Sequence, residues 1–215
     1  MSESTHVHPW PLCATSALLA LQSEAACAVI SIASPLTENR TLARLSIRKA
    51  LRELLAAYWQ MSAQCIALSS RIGEALTVLS PASTVGVSIS HAPGCSIAAV
   101  HLHGPVGVDV ARIDTAALGG TYGLPEWDRL AQDYLGPVTH QQLVHTAPAE
   151  RAQAFAHAWC RLEASLKCLG QGLTEWTPTL GHTLEGCQSI ALDLPDTLCG
   201  ALALGPAKQG PASSG

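Results

Sequence analysis

Apolar residues recur at helical spacing in two long stretches and alternate in several short ones. Between Thr37 and Gln60, the residues Ala43, Ile47, Ala50, Leu51, Leu54, Leu55 and Tyr58 fall on one stripe, the period of an amphipathic helix. Thr37 suits its N-cap and Glu38 its first turn. From Ala149 to Leu169, behind Pro148, the residues Phe155, Trp159, Leu162, Leu166 and Leu169 repeat at steps of four and three. Gly170 and Gly172 then supply a stop. Val85 to Ser90 alternates instead, with Val85, Val87 and Ile89 on one face and Gly86, Ser88 and Ser90 on the other, the pattern of a half-buried strand. Pro93-Gly94 is a turn signal, and Cys95 to Leu102 reads as the returning strand. After Gly104-Pro105, the segment Val106-Gly107-Val108-Asp109-Val110 puts three valines on one face and Asp109 on the other. These three strands are expected to run consecutively and antiparallel. Ala25 to Ala33 reads as another strand, Pro125 to Leu135 as another helix, and Thr177 to Leu204 as weaker strand-like runs. Met1 to Pro11, Gly119 to Gly123 and Gly205 to Gly215 are expected to lie outside regular structure, the first and last as mobile ends.

Composition narrows the class. Of 215 residues, 48% are hydrophobic and 13% charged, enough apolar side chain for a core and too little charge for wholesale disorder. The net charge of −4 disfavours a globally basic nucleic-acid binder but leaves room for a local phosphate-binding patch. The eight cysteines are scattered with no C-x-x-C pair, so reduced thiols in a cytoplasmic protein are expected. Leu12 to Ala33 is apolar, but Gln22, Ser23 and Glu24 in its middle make it a poor membrane span. His6-x-His8 and His101-x-His103 lack further ligands at a convincing spacing, so zinc is not expected. There is no nucleophile elbow, Walker A loop or dinucleotide fingerprint.

Two blocks carry candidate chemistry. One is Gly107-Val108-Asp109-Val110. The other runs from Trp159 to Lys167 as W-C-R-L-E-A-S-L-K and is followed by Gly170-Gln171-Gly172-Leu173. Glu163 and Lys167 are one helical turn apart and project to the same side. A strand carboxylate and a helix carboxylate can share one Mg²⁺, a hard cation that keeps waters and substrate phosphates, and a lysine one turn on can neutralise the phosphate. Plainer readings stand beside this. Asp109 alone can be a strand-edge acid, and Glu163 with Lys167 an ordinary helix-surface ion pair, worth about 0.3–0.5 kcal/mol. Arg40, Arg44, Arg48 and Arg52 recur every fourth residue as a basic ridge, which by itself reads as a solvated face.

The paired blocks resemble the signature of the 4′-phosphopantetheinyl transferase superfamily. That signature is G-[hydrophobic]-D, then W-x-x-K-E-[AS]-x-x-K ending in a Gly-x-Gly-Leu stretch. The separation of Asp109 from Glu163 is similar to that of the surfactin-type, two-half branch. Val87-Ser88-Ile89-Ser90-His91 resembles that branch's strand ending in Ser-His, and Leu42 to Tyr58 its Arg-bearing first helix. The resemblance spans residues 38 to 180 in matching order. It implies an α+β fold of two similar α/β halves, an N-terminal half over 1–104 and a transferase half over 105–204, with a disordered tail over 205–215 and the active site between the halves. It implies coenzyme A as donor, Mg²⁺ as cofactor and an acyl or peptidyl carrier protein as acceptor, in a monomeric enzyme of holo-[acyl-carrier-protein] synthase activity. Asp109 and Glu163 would hold the metal, with Glu163 helping to deprotonate the carrier serine and Lys167 contacting the phosphates. His91 would take the 3′-phosphate of coenzyme A with Ser90 beside it, and Arg48 and Arg44 would reach the nucleotide end. The chain departs from the pattern at three positions. Ala111 stands where a second acid is usual, Leu162 where a lysine precedes the helix glutamate, and Gly73-Glu74-Ala75 where Gly-Lys-Pro is expected. These departures keep open a catalytically impaired relative that binds coenzyme A or a carrier protein without turnover. A plain α+β interaction domain is the third reading.

Overall fold

The computed structural model describes residues 4–35, 39–69, 75–113 and 124–206. In chain order its elements are β1 (Ser4–Pro9), α1 (Ala14–Gln22), β2 (Cys27–Ala33), α2 (Arg40–Trp59), β3 (Ala67–Leu68), β4 (Val78–Ser80), β5 (Gly86–Ala92), β6 (Cys95–His101) and β7 (Val106–Arg112). They continue with α3 (Leu124–Leu130), α4 (Gly136–His145), α5 (Pro148–Cys168), α6 (Pro178–Leu184), β8 (Gln188–Asp193) and β9 (Leu198–Leu204). A π-helical turn over Ala131–Leu135 joins α3 to α4. The mixed α and β composition read from the sequence holds, with one large sheet at the centre.

That sheet has seven strands in the order β5-β6-β2-β1-β8-β9-β7. The β5–β6 hairpin forms as expected, with Gly94 at φ +84° in its turn. The third strand does not continue it. β7 pairs with β9, Val108 opposite Leu202 and Asp109 opposite Ala201. The second edge of β6 is taken by β2, so after Gly104-Pro105 the chain crosses to the far end of the sheet. Residues 4–9 are a second correction. They form β1, hydrogen-bonded in parallel to β2 on one side and β8 on the other. Hydrogen bonding on both edges orders this polar segment; its one apolar residue, Val7, is buried. Thr37 and Glu38 lie outside the described residues; the N-cap of α2 is Asn39, whose side chain accepts from Thr41 N. The strand-like runs after Thr177 resolve into β8 and β9, preceded by α6.

Alternation along the strands sorts the core into two faces. Val29, Ile97, Val108 and Leu202 meet Val7 on one side of the sheet. Ile30, Ala98 and Val100 face the other side and pack against Leu21 of α1 and Ile47, Leu51 and Leu54 of α2. Helix α5 covers β9 with small residues, Cys160, Ala164 and Cys168 against Cys199, Ala201 and Ala203. All eight cysteines are free thiols.

The two outer strands of the sheet, β5 and β7, lie side by side. A Cβ on Gly86 would stand 2.2 Å from Gly104 O. Ser88 Oγ accepts from Val108 N at 3.1 Å, and Ser90 Oγ accepts from Val110 N at 3.4 Å. The sheet therefore curls until its edges meet along a seam, and serine hydroxyls take the place of backbone carbonyls in joining them.

Candidate functional site

The seam carries the chemistry-bearing residues. On β7, Val106, Val108 and Val110 point to the interior cluster, so Gly107, Asp109 and Ala111 point the other way, toward α5. Gly107 lets the helix come down: a Cβ there would lie 1.8 Å from Ala164 O and 2.5 Å from Cys168 N. No other residue permits that approach without moving the helix. It seats the last two turns of α5 directly over Asp109. The helix ends in a Schellman turn, with Gln171 N bonded to Leu166 O at 2.9 Å and Gly170 at φ +67°.

Lys167 reaches down from α5 to the strand. Its Nζ donates to Asp109 Oδ1 at 2.6 Å, to Val108 O at 3.2 Å and to Ser90 Oγ at 3.3 Å. Ser90 Oγ donates to the same Asp109 Oδ1 at 2.7 Å. Asp109 is 8% exposed. It is no surface acid, and Lys167 is no member of a helix-surface pair with Glu163. Glu163 is half-buried one turn before Lys167. Burial raises its pKa, the neighbouring Asp109 charge raises it further, and Lys167 opposes both.

On the other side of β5, Val87 and Ile89 pack against the α1–α2 core and His91 shares their face. His91 Nδ1 is 2.9 Å from Ser96 Oγ, and its Nε2 is buried without a partner. Its pKa falls to about 4, chiefly through burial and then through the charges of Arg40, Arg44 and Lys167. Three cations thus bear on one neutral imidazole. A cleft of about 290 Å³ opens here, lined among others by Arg44, Arg48, Ser88, Lys167, Gln171 and Gly172. Asp109, Glu163 and His91 are not among the described residues that line it. Lys167 links them to it, since it lines the cleft and also bonds to Asp109.

The basic ridge does not behave as a solvated face. Arg48 is 7% exposed and its guanidinium donates to Leu68 O at 3.3 Å, at the end of β3, and to Ser69 O at 2.5 Å, just beyond it. It stands at the cleft wall as a brace for the β3–β4 hairpin. Arg44 also lines the cleft, while Arg40 is exposed. Of the departing positions, Leu162 is buried against Leu166 and Leu180. Ala111 packs against the α5–β9 cluster, and Ala75 lines the cleft. Gly73 and Glu74 lie outside the described residues. Ser96, Ser88 and Arg40 are the neighbours that sequence reasoning did not single out for the site; only register, invisible in the sequence, brings Ser96 opposite His91.

Asp109 and Glu163 offer hard oxygen donors from two elements, close enough for one charge to raise the other's pKa. Oxygen donors of this kind are what magnesium takes, one or two carboxylates with water and substrate phosphate completing the shell. No third His, Cys, Asp or Glu joins them as a metal cluster among the described residues. No helix among the described residues is long and apolar enough to cross a membrane. Residues 105–194 match the family model described as 4′-phosphopantetheinyl transferase superfamily. No curated protein matches the chain.

Proposed function

We propose, from the match of residues 105–194 to the 4′-phosphopantetheinyl transferase superfamily, that the protein moves 4′-phosphopantetheine from coenzyme A to a serine of an acyl or peptidyl carrier protein. The activity is of the holo-[acyl-carrier-protein] synthase type, magnesium-dependent, in a reducing cytoplasm to which eight free thiols are suited. One observation carries the reading. Asp109 of β7 and Lys167 of α5 meet at 2.6 Å beside a cleft lined by Arg44, with Glu163 one turn away.

In this reading the carrier serine Oγ attacks the β-phosphorus of coenzyme A. The new O–P bond forms as the pyrophosphate P–O bond breaks, and adenosine 3′,5′-bisphosphate leaves. Asp109 and Glu163 would hold Mg²⁺, which when bound neutralises charge on the pyrophosphate. Glu163 takes up the serine proton; its raised pKa brings it closer to the neutral range in which a base is effective. Lys167 turns its ammonium to the phosphates at the cleft wall. Arg44 binds at the nucleotide end, and His91 presents its unpartnered Nε2 to the 3′-phosphate.

The test is a mass shift on apo carrier proteins mixed with the protein, coenzyme A and Mg²⁺. A phosphopantetheine addition that disappears in Glu163→Ala, by a factor of about 10³ or more, supports the proposal; a Glu163→Ala protein that keeps near-normal turnover removes Glu163 from the mechanism. Leu162 favours a second reading, a relative that binds without turnover, because the family's lysine position is here an uncharged residue buried in a leucine cluster. Coenzyme A binding with no addition to any carrier would establish it.

A further inference from the structure

Ser90 has a fully committed hydroxyl. Its single proton goes to Asp109 Oδ1 at 2.7 Å, and its lone pairs receive Lys167 Nζ at 3.3 Å and Val110 N at 3.4 Å. A serine hydroxyl has one donor and two acceptor sites, so nothing is left over. Ser90 is 6% exposed, and its hydroxyl, like that of Ser88, is turned to the β7 seam, where the two accept from Val110 N and Val108 N. A phosphate oxygen only accepts hydrogen bonds and would have to take Ser90's proton away from a carboxylate. His91 differs, with one buried ring nitrogen lacking any partner.

We propose that Ser90 is the positioning residue of Asp109 and not a ligand of the 3′-phosphate of coenzyme A. Val110 N, from the residue next to Asp109, fixes Ser90, and Ser90 in turn fixes the orientation of the Asp109 carboxylate through Oδ1, the oxygen it shares with Lys167. One hydroxyl thereby couples the curl of the sheet to the orientation of the strand carboxylate. This inference rests on the transferase reading above for its kinetic arm, while its metal-binding arm does not.

The deciding experiment compares wild type, Ser90→Ala and Ser90→Thr with two donors, coenzyme A and 3′-dephospho-coenzyme A, and measures Mn²⁺ binding to each protein by calorimetry as a probe of the carboxylates. Loss of a residue that orients a metal ligand costs about 10–100-fold in activity or metal affinity. Ser90→Ala is expected to lower kcat by that factor with both donors, to leave KM for coenzyme A within about twofold, and to weaken Mn²⁺ binding about tenfold. Ser90→Thr keeps the hydroxyl and is expected to recover both kcat and Mn²⁺ affinity. A defect seen with coenzyme A but absent with the dephospho donor would make Ser90 a phosphate ligand and overturn the proposal, as would unchanged Mn²⁺ affinity in Ser90→Ala. Should Ser90→Ala not fold, a folded Ser90→Thr that loses Mn²⁺ binding overturns it equally. A wild type that transfers nothing defeats the transferase reading, and the Mn²⁺ comparison still decides the role of Ser90; a wild type that transfers but binds no Mn²⁺ overturns the proposal for Ser90 and leaves the transferase reading standing.

Discussion

Helices α2 and α5 are of nearly equal length, 20 and 21 residues, and both bury one apolar stripe while carrying charges at four-residue spacing. Their charges have different fates. On α5, Glu163 and Lys167 stand over a strand whose residue 107 has no side chain, and Lys167 closes on the carboxylate beneath it. On α2, the arginines form a row that drifts by about 40° at each four-residue step. It begins exposed at Arg40, reaches the cleft at Arg44 and enters the protein at Arg48, which braces the backbone carbonyls of Leu68 and Ser69 at the end of β3. A charged residue's period reports which face it occupies. What it touches is set by the neighbouring element, and by how closely a glycine or a hairpin brings that element in.

The sharpest way to break the α5 side of this contrast is Gly107→Ala. The added methyl would overlap Ala164 O at 1.8 Å, a backbone atom that no side-chain rotation can move, so α5 must lift. A loss of about 3 kcal/mol or more is expected in chemical denaturation, together with loss of transfer. A Gly107→Ala protein of wild-type stability would mean that the helix does not rest on β7. Next in size is the separation of the two inner arginines. Arg48→Ala leaves buried carbonyls unpaired and is expected to cost about 2–3 kcal/mol. Arg44→Ala should change stability by less than about 0.5 kcal/mol and weaken coenzyme A binding about tenfold, a loss of roughly 1.4 kcal/mol. Equal stability losses would erase the distinction between brace and ligand.

The smallest effect is one of pH. The pKa of His91 is lowered from 6.5 to about 4 in the folded protein by burial and by Arg40, Arg44 and Lys167. The unfolded chain therefore binds the proton first, so this contribution to stability is present above pH 6.5 and is lost as pH falls from 6.5 toward 4. A phosphate placed on Nε2 offsets those cations and raises the pKa again. Coenzyme A binding near pH 6 is then expected to take up a fraction of a proton, read as a buffer-dependent binding enthalpy, and 3′-dephospho-coenzyme A to take up less. Equal uptake with both donors would place the 3′-phosphate away from His91.

Much of this was legible beforehand. The stripes on α2 and α5, the β5–β6 hairpin and the facing of Asp109 all follow from period and turn residues, because those are local properties. Glu163 and Lys167 emerged from spacing, and their match with Asp109 from the resemblance. Strand order was not legible: nothing in Val106 to Val110 says that its partner is Leu198 to Leu204 rather than the hairpin just completed. Nor was β1, whose stabilisation comes from neighbours on both edges and not from its own composition. The serines of the seam read as the polar face of a strand, and only the curl of the sheet gives that face something to bind.

The position of β1 also bears on how the chain is made. Val7 pairs with Val29 nearby, but Ser4 pairs with Ala191, so β1 must wait for β8 while the ribosome adds nearly all the intervening residues, on the order of 10–40 s of synthesis. Through that interval one edge of a central strand has no partner and invites other strands, as exposed edges do. Newly made chains should accordingly be most prone to aggregate, and most in need of a chaperone, just before residues 188–193 emerge, long after the helix bearing the arginines has had time to form.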